Sequence, residues 1–178
     1  MARIELPTRE SLPEELRARW DTQAARGQVL NIQRAFMSNP GIDLNAFRIW
    51  RASGLSDRAR ELVILRCAFQ KQSTYEWHQH VRIARGVGLT DEEIFGVGNW
   101  QASDFYSPDE RALLAYVDEL TANARPGNSA WAAVAANRSD GEMFGVTFLI
   151  TLYFQLAHVM AALDLETEET FVGWRLPE

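Results

Sequence analysis

The amino-acid sequence predicts an all-α protein with a single domain. Segment after segment begins with a helix-capping residue and continues with apolar residues at helical spacing. Alternating apolar and polar stretches, which are typical of strands, are scarce. The chain has 178 residues, 47% hydrophobic and 24% charged, which suits one domain with a sizeable core. No internal repeat, low-complexity run or interdomain linker interrupts it.

Helix-start and helix-stop signals organise the first half of the chain. Pro13 follows Ser11, and proline is favoured in the first turn of a helix. Gly27 then ends this first helix, at about residue 26. The next predicted helices are about 30–37, Asn39-Pro40 to near Gly54, the one capped by Ser56-Asp57, and the one capped by Ser73 that ends at Gly86 or Gly88.

The second half contains four further helix starts. The segment 90–93 (TDEE) is a capping box, in which the Thr and Glu side chains each bond a backbone N–H at the helix start. The four predicted helices run from Thr90 to about Val97, from Ser107-Pro108 to before Pro126-Gly127, from Asn128-Ser129 over a short stretch, and from Ser139-x-x-Glu142 through a long apolar segment.

The last of these helices is long enough to cross a bilayer. Residues 143–163 contain no Asp, Glu, Lys or Arg. They do contain Thr147, Thr151, Gln155 and His158, and their flanks are acidic rather than basic. We therefore expect a buried helix, central in a bundle or packed between subunits, and no membrane span. His158 is expected to be a hydrogen-bonded core histidine.

Composition excludes several classes of protein. The net charge of −6 argues against a nucleic-acid binder, because there is no basic stripe to neutralise phosphates. A single cysteine excludes an internal disulfide framework and fits a reducing compartment. The N-terminus lacks the apolar core of a signal peptide, so we expect a cytoplasmic protein.

Three titratable residues predict a proton-transfer site. If one helix follows Ser73, then Ser73, Glu76 and His80 share a face. Glu76 and His80 are one turn apart, so the carboxylate is expected to hydrogen-bond the imidazole and orient it. Such a pair can act as general acid and base near neutral pH. Glu61, in an otherwise apolar run, adds a third group whose pKa is expected to be raised by burial.

Each of these residues also has a structural interpretation. An arginine near Glu61 would make it half of a buried ion pair, and Glu76 and His80 would form a surface pair of little energetic worth. Ser73 lies where its side chain would cap a helix. His78 is about 200° around the helix from His80, so the two should not converge on a metal, and we predict no metal site.

Further residues around this segment are candidates for binding a substrate. Arginines cluster in the sequence at positions 58, 60, 66, 82 and 85. They either pair with nearby acids or form a rim that attracts a carboxylated substrate, because a guanidinium matches a carboxylate. The aromatic-rich loop 98–106 either packs into the core or walls a pocket. The predicted substrate-binding side chains are Ser73, Tyr75, Arg66, Arg82 and Trp100.

Taken together, these strings resemble the carboxymuconolactone decarboxylase family of the alkylhydroperoxidase D-like superfamily. The resemblance extends over about 30–165, leaving an N-terminal helical extension (1–29) and a C-terminal tail (166–178) within one domain, 1–178. It implies an all-α, single-domain helical bundle of the alkylhydroperoxidase D-like type. The strings that carry it are 60–66 (RELVILR), Tyr75-Glu76-Trp77-x-x-His80, Ala84-x-x-x-Gly88 and the apolar pattern 113–120.

The chain departs from the peroxidase branch of that superfamily. In that branch a Cys-x-x-Cys pair and an earlier Glu precede the histidine, and these positions fall on Ser73, Glu76 and Glu61. Both sulfurs are missing here, so there is no thiolate to attack a peroxide at these positions. The single cysteine, Cys67, lies in an apolar helix and is expected to be buried and inert.

The resemblance implies a decarboxylase, isomerase or related lyase that needs no metal or organic cofactor and acts on a small carboxylated lactone or keto acid. His80 would be proton donor and acceptor, oriented by Glu76, with Glu61 as relay. It also implies a homo-oligomer, commonly a trimer or hexamer. The alternatives are a peroxidase-like antioxidant enzyme, a non-catalytic oligomeric module, and a metal site formed by Glu61, Glu76 and His80.

Overall fold

The structure, a computed structural model, describes residues 2–39, 41–42 and 53–175. In these ranges the chain forms helices and loops and no strand, so the all-α prediction is confirmed. The helix expected between Asn39 and Gly54 lies largely outside the described residues. The described α-helices are α1 (Glu14–Ala24), α2 (Asn31–Met37), α3 (Asp57–Lys71), α4 (Thr74–Gly86), α5 (Asp91–Gly96), α6 (Pro108–Ala122), α7 (Asn128–Ala135) and α8 (Asp140–Ala162).

Capping explains most of these helix starts. Thr90, Ser107 and Ser139 each accept a hydrogen bond from the backbone N–H three residues on, and each is answered by a glutamate. Ser73 is the N-cap residue of α4, but its side chain makes no capping hydrogen bond, contrary to the prediction. The 98–106 segment is also more regular than expected, since a 3₁₀ helix (Val97–Ala102) continues directly from α5.

The central helix of the bundle is α3 rather than α8. It packs against α4, α6 and α8, and its apolar residues are buried around the whole helix: Leu62, Val63, Ile64, Leu65, Cys67 and Ala68. An all-round apolar sequence is what a helix surrounded by others requires. α8 has a different environment, because one side packs on α3 while Phe144 and Phe148 on the other side remain exposed.

α8 is the only helix in the described ranges that is long and apolar enough to cross a membrane. Half of its most apolar window is buried inside the protein. A core helix passes the same test of length and composition, so this is weak evidence for a span.

Both ends of the chain pack onto the bundle. The backbone N–H of Arg3 donates to the Leu163 carbonyl at 2.8 Å. The C-terminal tail folds back over α4, where the Trp77 indole donates to the Gly173 carbonyl at 2.8 Å. Phe171 and Trp174 of the tail pack into the aromatic cluster around Trp77. The tail is therefore part of the folded domain, and it covers the helix that contains the predicted site.

Candidate active site

Two antiparallel helices place Glu61 and His80 in contact. A two-residue link joins α3 to α4, and Gln72 in it adopts the left-handed conformation, with φ of 51°, that reverses the chain. This turn brings the side of α3 that contains Glu61 against the side of α4 that contains His80. His80 Nδ1 lies 2.7 Å from Glu61 Oε2, and Glu61 is 2% exposed.

Arg60 and His80 together keep Glu61 ionised. Burial, the largest single effect, raises the pKa of Glu61, but hydrogen bonds and charge from His80 and Arg60 outweigh it and hold the pKa below its ordinary value. The prediction of a raised pKa for Glu61 is therefore wrong. Arg60 Nε donates to Glu61 Oε1 at 3.1 Å, so the ion pair considered as a structural alternative coexists with the histidine contact.

The ionised carboxylate determines the tautomer of His80. A carboxylate only accepts hydrogen bonds, so Nδ1 of His80 is the nitrogen that donates to Glu61. Nε2 is then the nitrogen available to a ligand. The ring also meets Tyr153 edge-on, with 5.2 Å between the ring centres. The carboxylate and the tyrosine fix the imidazole from two sides.

Glu76 does not orient His80, which corrects the second expectation. Glu76 is 2% exposed, and neither of its carboxyl oxygens has a hydrogen-bond partner among the described residues. Burial raises the pKa of Glu76 well above its ordinary value, which favours its neutral form. The Nδ1 proton of His80 goes to Glu61 because that carboxylate is ionised and supported by Arg60.

Glu76 and His80 line one pocket with a volume of about 400 Å³. Its walls come from α4 and α8 of the bundle and from α1 and α2 of the N-terminal region. Arg82 lies at this pocket and contacts the neutral Gln79 side chain at 3.1 Å. The lining residues are Gln23, Arg26, Leu30, Ile32, Gln33, Phe36, Tyr75, Glu76, Gln79, His80, Arg82, Ile83, Tyr153, Leu156 and Met160.

Arg26 and Arg82 have no acid partner in the described ranges. By contrast, Arg58 contacts Glu93 and Glu110, and Arg85 contacts Asp91. Pairing with acids, the first alternative for the predicted arginine cluster, therefore applies to the arginines at 58, 60, 66 and 85. The rim that attracts a carboxylated substrate stays a prediction, for which Arg82 is the remaining member.

Arg66 and Trp100 do not line this pocket, so the structure does not bring them together with His80. Arg66 forms a two-pronged ion pair with Asp118, at 2.6 and 2.9 Å, and also donates to the Val97 carbonyl. The Trp100 indole donates to the same carboxylate at 3.0 Å. These residues join α3, the 3₁₀ helix and α6, which is a structural role.

Ser73 and Tyr75 lie on a second cleft, with a volume of about 550 Å³, between the start of α4 and the C-terminal tail. Ser73 is not among the residues that line the pocket of His80. Tyr75 lines both spaces, and its hydroxyl donates to Glu168 at 2.6 Å.

Sequence reasoning missed several residues of the pocket. Tyr153 was hidden in the apolar pattern of α8, and Gln79 is an unremarkable neighbour of His80. Arg26 comes from the N-terminal extension. Glu168 of the tail does not line the pocket but contacts its residues Tyr75 and Gln79. No local pattern identifies these residues, because their positions depend on how distant segments pack.

The single thiol of the chain is not available for chemistry. Cys67 is fully buried in α3, and burial raises its pKa well above the ordinary value. No group of three or more His, Cys, Asp or Glu side chains that suits a metal ion occurs in the described part of the chain.

Residues 42–119 match the model of the carboxymuconolactone decarboxylase family. A curated relative, the uncharacterized protein YdfG of Bacillus subtilis (strain 168), is 30% identical over 71 residues, which are 40% of this chain and 48% of that protein. The chain thus spans about half the length of this relative.

Solved structures share the fold at lower identity. An uncharacterized peroxidase-related protein from a Silicibacter species superimposes with a TM-score of 0.81 and 17% identity, over 98% of this chain and 96% of that one. The debrominase Bmp8, in complex with 2,3,4-tribromopyrrole, superimposes with a TM-score of 0.76 and 17% identity, over 94% of each chain. These likenesses show the fold.

Proposed function

Since the chain belongs to the carboxymuconolactone decarboxylase family of the alkylhydroperoxidase D-like superfamily, we propose that it is an acid/base enzyme acting on a small carboxylated lactone or keto acid. One observation carries the proposal. An ionised glutamate holds a histidine at 2.7 Å in the wall of a pocket that also contains Glu76, a buried carboxyl with no hydrogen-bond partner among the described residues. The reaction proposed is decarboxylation, or isomerisation through a similar enolate.

The three site residues divide the work of a decarboxylation. The bond from the ring carbon to the carboxylate breaks, CO2 leaves, and the electron pair remains on the ring as a dienolate. His80, as imidazolium paired with Glu61, then delivers the Nε2 proton to carbon and regains one from water. Glu76, in its neutral form, donates a hydrogen bond to the developing oxyanion. Glu61 thus takes the orienting role first assigned to Glu76.

The pocket arginines supply substrate binding. Arg82, with Arg26 from the N-terminal extension, would hold a carboxylate ionised and in place. The carboxylate of Glu61 does not compete with a substrate for these arginines, because Glu61 is buried and already paired with Arg60 and His80. Residence in the cytoplasm and association with further copies of the chain stay predictions.

A peroxidase-like activity, the main alternative, has less support in the site. Superfamily relatives include proteins named as peroxidase-related, but a fold does not determine its chemistry. Thiol chemistry here would depend on Cys67, which is enclosed and has a raised pKa. Peroxide consumption that disappears in Cys67→Ala would favour that alternative. A non-catalytic module would instead lose association, and no activity, when Glu61 or His80 is replaced.

The test is turnover of γ-carboxymuconolactone, followed by ultraviolet absorbance, for the wild-type protein and for His80→Ala. We expect a rate loss of at least roughly 10²-fold, the usual scale for a positioned acid/base. His158→Ala is the matched control, because His158 is an exposed histidine on α8, outside the pocket. A nearly unchanged rate in His80→Ala would remove His80 from the chemistry. No turnover by wild type would retire this substrate and direct the search to other carboxylated lactones and keto acids.

A further inference from the structure

A carboxylate from the C-terminal tail is joined to the pocket through an unbroken chain of hydrogen bonds. Glu168 Oε2 accepts from Gln79 Nε2 at 2.6 Å, and Gln79 Oε1 accepts from Arg82 at 3.1 Å. Gln79 is 8% exposed. These two hydrogen bonds therefore link the half-buried carboxylate of Glu168, through the buried amide of Gln79, to the guanidinium of Arg82 at the pocket.

The two neighbours of Gln79 allow only one orientation of its amide. Glu168 can only accept hydrogen bonds and Arg82 can only donate them. The amide NH2 must therefore face Glu168, which leaves the carbonyl oxygen to face Arg82. Turning the amide over would place a donor against a donor and an acceptor against an acceptor, so the carboxylate determines what the arginine meets.

Glu168 is itself held in place. Its Oε1 accepts from the Tyr75 hydroxyl at 2.6 Å and from the backbone N–H of Asn31 at 2.5 Å. Asn31 is the first residue of α2, whose side chains form one wall of the pocket. Both carboxylate oxygens are thus used, and the same residue connects α2, α4 and the tail.

We infer that Glu168 is a positioning residue that, through Gln79, holds Arg82 ready for the carboxylate of an anionic ligand. The inference rests on the proposed function in taking a carboxylate as the ligand. Of these three residues, Arg82 is the one that touches the ligand, whereas Glu168 acts through Gln79. A guanidinium oriented in advance loses less side-chain entropy on binding, which raises affinity for the anion.

Benzoate and benzamide are suitable probes, because they share a shape and differ in charge. Binding is measured by isothermal titration for wild type and three variants, Glu168→Gln, Gln79→Leu and Arg82→Gln. We expect wild type to prefer benzoate, and each variant to bind benzoate roughly tenfold more weakly, the scale of a lost hydrogen bond to a charged group. Benzamide affinity should change little. Glu169→Gln, an exposed neighbour in the tail, is the matched control and should behave as wild type.

A double-mutant cycle separates positioning from a general structural effect. If Glu168 acts through Arg82, then Glu168→Gln should cause no further loss of benzoate affinity in the Arg82→Gln background. Gln79→Leu removes both hydrogen bonds of the Gln79 side chain while leaving the contacts of Glu168 with Tyr75 and Asn31. It should therefore reproduce the loss even if Glu168→Gln weakens the fold, which thermal unfolding will reveal.

Several outcomes would overturn the inference. They are equal losses for benzoate and benzamide, additive losses in the double variant, unchanged benzoate affinity in Glu168→Gln, and no preference for benzoate in wild type. The proposed reaction fails separately. Absent lactone turnover with the benzoate pattern intact leaves the positioning role standing, whereas His80-dependent turnover with benzoate binding insensitive to Glu168 removes that role and keeps the reaction.

Discussion

Two buried glutamates of one site have pKa values shifted in opposite directions, and their neighbours explain why. Glu61 and Glu76 are equally inaccessible, each 2% exposed. Glu61 has Arg60 and His80 within hydrogen-bond reach, so its anion is stabilised more than burial penalises it. Glu76 has no hydrogen-bond partner in the described part of the chain, so only the burial penalty remains. A pair of carboxyl groups separated in this way can serve as anion and acid at the same pH.

The raised pKa of Glu76 predicts a pH dependence of stability. Below its ordinary pKa of 4.5 the carboxyl is protonated in both the folded and the unfolded chain and contributes no slope. Above that pH the unfolded chain releases the proton while the folded chain keeps it. The free energy of unfolding therefore falls by about 1.4 kcal/mol per pH unit from this group, until pH reaches the raised folded-state pKa.

Glu76→Gln cannot ionise and should lack this slope. Urea unfolding between pH 5 and 7 should show the variant gaining stability relative to wild type as pH rises. The slope is the informative quantity, because the buried amide adds a constant offset of its own. Parallel pH profiles for the two proteins would mean that Glu76 is ionised in the folded state.

At the scale of elements, serines at helix starts are not equivalent. Ser139 accepts from the Glu142 N–H and is answered by the Glu142 carboxylate, whereas the Ser73 side chain makes no capping bond. Ser139→Ala should lower the free energy of unfolding by about 1 kcal/mol, the usual cost of losing an N-cap. Ser73→Ala, the matched comparison, should lose no capping energy. Denaturant unfolding of both variants measures this, and an equal loss in Ser73→Ala would show that Ser73 caps α4 in solution.

Locally determined features were predictable from the sequence, and features formed by distant segments were not. The starts of α5, α6 and α8 follow from capping residues and their partners within a few positions. The pairing of His80 with Glu61 rather than Glu76 depends on the turn between α3 and α4 and on the charge of Arg60. Arg66 was placed at the site by sequence proximity, but Asp118 of α6 holds it elsewhere. The sequence therefore identified Glu61, Glu76 and His80 as site residues, but not which glutamate pairs with the histidine.

At the scale of the whole molecule, the N-terminal helices and the C-terminal tail complete the pocket whose other walls come from the bundle. α1 and α2 supply one wall of the pocket, and the tail secures α2 and α4 through Glu168. The division into extension, bundle and tail stays a prediction. In the structure, all three segments pack into one folded unit. Substitutions in these N-terminal and C-terminal segments can therefore alter which ligand the pocket binds while the Glu61–His80 pair stays in place.

The exposed side of α8 leads to a prediction about association. Phe144 is 71% exposed and stacks near Phe148, which is 37% exposed, and Val159 lies further along the same helix at 37%. Aromatic side chains on one face of a long apolar helix are costly to leave in water. We expect this face to be covered by another copy of the chain, in agreement with the oligomer that the sequence predicts.

Phe144→Asp places a charge in that face and should shift the protein toward the monomer, because an unpaired carboxylate at an apolar interface is strongly unfavourable. Light scattering coupled to size-exclusion chromatography measures the molar mass of both proteins. Phe105→Asp is the matched control, since Phe105 is 50% exposed in the loop before α6, away from α8. A wild-type mass of one chain, 20.2 kDa, would refute the association. An oligomer unaffected by Phe144→Asp would place the contact on another surface.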